Sequence, residues 1–277
     1  MTDPALAERP LRRILVAIDA SRPSLEALEA AAILAARHGA ELAGLFVEDI
    51  DLLRAAELPF AGPLALIGGS PLPAASIGAS VRALAERARA ALAEVATTRQ
   101  LRWSFRVARG RVEVEVLQAA VEADLLALGR VGRGLAGGRR PGSTAQAAAS
   151  RARAPVLLAA GEAANALPLW VAWDGSSGAE AALDLALRLA GSGDASPVLL
   201  VAAAGPAEAE ALAAAASARA GRPLAWRFAG GPSPGDLRRA LPFRAALVVG
   251  PASPVVGGTA GLERLLADAR GPVLLAR

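Results

Sequence analysis

Residues 129–144 read GRVGRGLAGGRRPGST, with two residues between Gly129 and Gly132, then nine more before Gly142-Ser143-Thr144. A bound anion needs the backbone close, and any Cβ at such a glycine would hold it off or forbid positive φ. Where a glycine-rich loop leaves a strand and opens a helix, backbone N–H groups can converge on a phosphate. The stretch also carries Arg130, Arg133, Arg139 and Arg140 and no acid. Its chemistry is that of a site for a small polyanion.

The charge distribution agrees. Residues 1–160 hold 20 arginines against 16 acids, residues 161–277 hold 10 against 10, and the formal net charge is +4. The whole excess therefore equals the four arginines of one loop. A sequence pI near 11.0 would ordinarily invite a nucleic-acid reading. An excess confined to one loop suits a single small ligand better than a phosphate backbone, so no nucleic-acid partner is expected. The chain has no lysine, and its high pI reflects arginine used in lysine's place.

Composition excludes several chemistries. No cysteine means no disulfide, thiolate metal site or cysteine nucleophile. Without lysine there is no Walker-type phosphate lysine and no Schiff base. His38 is the only histidine and precedes Gly39 at the end of a helical pattern, where a helix-end cation needs no further role. Apolar stretches are interrupted by Arg, Glu, Pro or Gly well short of the ~20 residues of a helical membrane span. The N-terminal MTDPALAERPLRR has no apolar centre and does not read as a signal peptide, so the expected location is the cytoplasm.

The loop must be positioned by the elements around it. Apolar runs at residues 14–18, 41–47, 104–108, 125–128 and 155–158 read as strands. Amphipathic patterns at 24–37, 80–97, 113–122 and 145–151 read as helices. Such alternation implies right-handed crossovers and a parallel sheet covered on both faces. Residues 49–79, rich in Leu, Pro and Gly, read as an insertion forming an irregular cover. Trp103, Trp170, Trp173 and Trp226 fall in or beside strands, where core packing is expected.

The pattern then repeats. LWVAWDGS at 169–176 answers 14–21, with Asp174 standing where Asp19 stood; ALVVG at 246–250 answers 125–129, and GPVLL at 271–275 answers 154–158. Two copies of one α/β unit make the chain, with units expected at 1–161 and 162–277. Both last strands are short and apolar and would be sheet edges unless paired with each other.

The order of strand-Asp, a second strand ending Phe-Val-Glu-Asp, Leu-Leu-Ala-Leu-Gly, the glycine signature and Pro-Val-Leu-Leu resembles the universal stress protein family in its tandem form. The resemblance covers nearly all of the chain except the first ten residues and residues 49–79. It implies two flavodoxin-like, adenine-nucleotide-hydrolase-like α/β domains, each a parallel five-stranded sheet with helices on both faces, packed as an intramolecular pseudo-dimer. In that family the glycine signature marks members that bind ATP.

The resemblance also assigns residues. Asp19 would lie beside adenine with Ala17 as its backbone neighbour, and Val47 would make the apolar contact to the nucleoside. Gly129, Arg130 and Gly132 would open the phosphate loop, with Leu128 just before it among the nucleotide-binding residues; from their place in the sequence, Arg139 and Arg140 stand at the loop's far end, where the β- and γ-phosphates are expected. Gly142, Ser143 and Thr144 would close it at a helix N-terminus, the hydroxyls donating to phosphate or to a Mg²⁺-bound water. ADP or AMP would fit the same site, and a homodimer is compatible with the family. The second copy departs from the signature: its loop after Gly250 is about four residues shorter, Ser253 replaces the second glycine and no arginine remains.

The expected function is ATP binding in the first unit with a signalling role and slow or no hydrolysis. No general base is evident near the loop, so hydrolysis would rest on loop electrostatics and Mg²⁺. Two alternatives stand: a nucleotide-free protein-interaction module, and an enzyme of phosphoryl or adenylyl transfer.

Overall fold

The structure, a computed structural model, describes residues 10–57, 74–131, 141–159, 168–191, 196–243 and 245–277. In the first half β1 (Arg13–Ala17), β2 (Glu41–Asp49), β3 (Trp103–Gly110), β4 (Leu125–Gly129) and β5 (Val156–Ala159) alternate with α1 (Arg22–His38), α2 (Ile50–Glu57), α3 (Ala74–Thr98), α4 (Val112–Ala119) and α5 (Ser143–Arg151). In the second, β6 (Trp170–Trp173), β7 (Val198–Val201), β8 (Trp226–Phe228), β9 (Leu247–Val249) and β10 (Val273–Leu275) alternate with α6 (Ser177–Ala190), α7 (Pro206–Ala220), α8 (Pro234–Ala240) and α9 (Gly258–Asp268). The first helix of each half starts on the same device. Ser21 accepts the Ser24 N–H at 3.4 Å, and Ser176 accepts the Ala179 N–H at 3.3 Å, satisfying donors that a helix start leaves unpaired. Gly39, at φ 63°, ends α1 in the left-handed conformation that glycine adopts at little cost.

The strands form one ten-stranded sheet in the order β3-β2-β1-β4-β5-β10-β9-β6-β7-β8. All pairings within each half are parallel. The halves join through antiparallel β5 and β10, with Val273 opposite Leu158 and Leu275 opposite Val156. The two last strands thus cover each other's edges, as their apolar sequences led us to expect. Alternation along each strand divides the core into two layers. Ile14, Val16, Leu125, Ala127, Leu157 and Leu274 face one, packed with α1, α3, α6 and α7. Leu15, Leu126, Leu128, Val156, Val273 and Leu275 face the other, with α4, α5 and α9. Each layer is continuous across the junction.

Two expectations are corrected. The segment 49–79 is not irregular at its ends: Asp49 accepts the Asp51 N–H at 2.9 Å, turning the chain from β2 directly into α2, and α3 begins at Ala74. Residues 58–73 lie outside the described residues. The tryptophans do not share one role. Trp173 is buried, its indole N–H donating to Leu212 O at 2.9 Å, and Trp170 is half-buried beneath the Arg227 guanidinium. Trp103 and Trp226 are 36% and 42% exposed because β3 and β8 are the outermost strands, with a neighbour on one side only.

Candidate functional site

Because β1 lies between β2 and β4, the carboxyl ends of the three strands converge, the place where open α/β sheets hold ligands. There Ala17, Val47 and Leu128 share one sheet face. Leu128 is buried in the core layer, and half-buried Ala17 and Val47 pack against it. Asp19, just beyond β1, is half-buried; its Oδ1 accepts the Ser21 N–H at 2.9 Å, and its own N–H donates to Ser24 Oγ at 3.3 Å. Asp19 therefore shapes the turn into α1. Ala20 in that turn has φ 59°, where the second copy has Gly175 at φ 75°; an alanine in this conformation costs about 1–2 kcal/mol.

Gly129 ends β4 against the first turn of α1. A Cβ there would stand 2.7 Å from the Pro23 carbonyl carbon and 2.9 Å from its oxygen. Gly142 is the N-cap of α5, and among the described residues no side chain caps the helix. Its N–H donates to Arg130 O at 3.0 Å and its carbonyl accepts the Gln146 N–H at 2.9 Å. Ser143 is exposed and borders an open groove between α5 and α9, while Thr144 is half-buried. Gly132, Arg133, Arg139 and Arg140 lie outside the described residues.

Arg130 departs from the assigned role. Its side chain is 7% exposed and leaves the loop for the second half, donating through Nη2 to Ala269 O at 2.6 Å and through Nη1 to Gly271 O at 3.3 Å. Burial pushes its pKa down, with the Glu26 carboxylate acting in the opposite direction. Only its backbone serves the loop root. His38 likewise has a helix-end role, its Nε2 lying 3.2 Å from Leu189 O at the end of α6.

In the second half the corresponding place is filled by the protein itself. Asp174 Oδ1 takes the Ser176 N–H at 3.0 Å and the Ser176 hydroxyl at 2.5 Å; Oδ2 takes the Ser253 hydroxyl at 2.6 Å and the Val255 N–H at 3.1 Å. Burial works against the charged form, but these hydrogen bonds outweigh it and hold the carboxyl below its ordinary range. The loop after β9 closes in a 3₁₀ turn at Pro254–Val256, burying Ser253, Val255 and Val256. A Cβ at Gly250 would run into the backbone of Gly178, and one at Gly178 into the backbone of Ala252 and Ser253. The replacement of a glycine by Ser253 was visible in the sequence, whereas its bond to Asp174 was not.

Among the described residues no group of three or more His, Asp or Glu side chains could hold a metal ion, and no helix is long and apolar enough to cross a membrane. A sequence profile of the universal stress protein family matches residues 10–160. No curated protein is significantly similar in sequence. Among solved structures, a universal stress protein from Archaeoglobus fulgidus DSM 4304 superposes with TM-score 0.66 at 16% identity, covering 96% of this chain and 98% of its own. A protein described as a universal stress protein, from Pseudomonas aeruginosa UCBPP-PA14, gives 0.60 at 14%, covering 98% and 94%. A universal stress protein solved in complex with cAMP is 26% identical, with TM-score 0.35, over 54% of this chain and 97% of its own.

Proposed function

The chain belongs to the universal stress protein family, and on that premise we propose that its first half, residues 1–161, binds an adenine nucleotide, foremost ATP with Mg²⁺. The observation that carries the reading is the start of α5. Among the described residues no side chain caps it, which would leave its first-turn amides and the positive end of its dipole to phosphate oxygens. It stands beside the carboxyl end of β4, with Gly142 bonded to Arg130. Ser143 and Thr144 would add hydroxyl donors to phosphate or to a metal-bound water. Ala17, Val47 and Leu128 would supply an apolar wall for the base, and Asp19 an acceptor beside it. Arg139 and Arg140 would meet the terminal phosphates.

The second half, residues 162–277, would bind none, because Asp174 is already satisfied by Ser176, Ser253 and Val255. With no lysine and no histidine near the loop, binding rather than turnover is the proposed work. One observation favours the reading as a nucleotide-free docking module: the Pro23 contact and the Arg130 bond give Gly129 and Gly142 reasons to be where they are without a ligand.

Calorimetric titration with ATP and Mg²⁺ separates these readings. One site per chain is expected. Two equivalent sites would sink the asymmetry, and no binding would favour the docking module. Gly142→Val should weaken ATP at least tenfold, about 1.4 kcal/mol, by placing a branched side chain where backbone meets phosphate. Steady turnover with a defined acceptor would favour a transferase.

A further inference from the structure

On the side of α5 and α9, Arg130 and Arg277 cross between the halves and end on backbone carbonyls rather than on acids. Arg277, following β10, donates through Nη2 to Ala148 O at 2.8 Å and Ala149 O at 2.7 Å in α5. Arg130, following β4, reaches the end of α9, where Ala269 is the C-cap, and the Gly271 carbonyl before β10. A cation at a helix C-terminus is favoured by the unpaired carbonyls and the negative end of the dipole, so each half supplies the cation for the other's last helix.

The two clamps are unequal. Among the described residues the Arg277 side chain hydrogen-bonds α5 alone. Arg130 is also the root of the glycine loop: its N–H donates to Ala159 O at 2.9 Å and its carbonyl takes the Gly142 N–H at 3.0 Å. One residue thus links β5, the N-cap of α5 and the entry to β10. Its Nε is buried with no hydrogen-bond partner among the described residues.

We propose that Arg130 joins the loop root and the docked second half into one cooperative unit, so that occupancy of the loop is transmitted to α9 and β10. The transmission rests on the nucleotide reading above; the cooperative unit does not. Arg130 is a positioning residue here: a ligand that fixes the loop root fixes the carbonyl-bound side chain with it, and by linkage the second half's docking raises ligand affinity by the same factor.

The test is residue-resolved hydrogen exchange on the full chain. Arg130→Met keeps the stem and removes every donor; Arg277→Met is the control for general loosening of the junction. Without ligand, Arg130→Met should speed exchange roughly tenfold both at the Gly142 amide and at residues 273–275, the factor expected from losing one or two buried hydrogen bonds. Arg277→Met should speed exchange at residues 151–153 and leave Gly142 unchanged. If Arg130→Met leaves Gly142 unchanged, the clamp is local and the proposal falls. Should that variant not fold, Arg130→Lys, with its charge and fewer donors, is read by the same criterion.

Adding ATP and Mg²⁺ should slow exchange at residues 273–275 in the wild type and not in Arg130→Met. Equal protection in both would overturn the transmission. If the wild type binds no ATP, the nucleotide reading fails and the ligand-free comparison still decides the cooperative unit.

Discussion

Gly129 meets a demand that any occupant of the loop would share. Its missing side chain lets the backbone of β4 come within contact of Pro23, and that closeness is what a backbone anion site also requires. Gly129→Ala should therefore destabilise the chain by about 1–3 kcal/mol through overpacking, measured by urea unfolding with no ligand present. An unchanged midpoint would mean that α1 yields at no cost. Asp174 is the opposite case, a polar group satisfied wholly by its own chain. Asp174→Ala should cost about 1–3 kcal/mol, since it strands the Ser253 hydroxyl and the Val255 amide. The pH dependence follows in sign. The folded pKa lies below the ordinary 3.8, so the stabilisation is full above that value and lost as pH falls through the folded pKa. Urea midpoints of wild type and Asp174→Ala should converge in acid.

At the scale of elements, the ends of α1 and α6 meet on the face opposite α5 and α9. Leu189 O, at the end of α6, receives Arg37 Nη1 at 3.4 Å and faces His38 Nε2 at 3.2 Å. Arg188 reaches back to Asp124 at 2.9 Å, which also accepts the Arg12 and Arg13 amides. Burial pushes the His38 pKa below its ordinary 6.5; the bond to Leu189 opposes this, and Arg37 and Arg188 reinforce it. A folded pKa below the unfolded one means that His38 contributes its full stabilisation above about pH 6.5. That contribution is lost as pH falls through the folded pKa. His38→Gln should flatten the fall in melting temperature between pH 7.5 and 5. An equally steep fall in the variant would assign it to other groups.

For the molecule as a whole, the antiparallel junction of β5 and β10 and the two continuous core layers make each half the cover of the other. Cut apart near residue 161, each half would present an apolar edge strand, Val156–Ala159 or Val273–Leu275, that invites pairing with another copy. Both isolated halves should self-associate or aggregate in light scattering. Monomeric, soluble halves would show that the junction contributes little.

The alternation of short apolar runs with amphipathic helices and the pairing of both last strands were legible in the sequence because they depend on local periodicity and on edges that need cover. The glycine spacing and its decay after Gly250 were legible for the same reason, since a loop's length and small residues are written consecutively. Tertiary structure alone decided where Arg130 points, what satisfies Asp174, and that Trp103 and Trp226 stand at an edge. Arg130 and Ala269 are 139 residues apart, and Asp174 and Ser253 are 79 apart. A local pattern can say that a cation or a carboxylate is present. Its partner is chosen only when distant strands are brought side by side and every buried donor must find an acceptor in the space that remains.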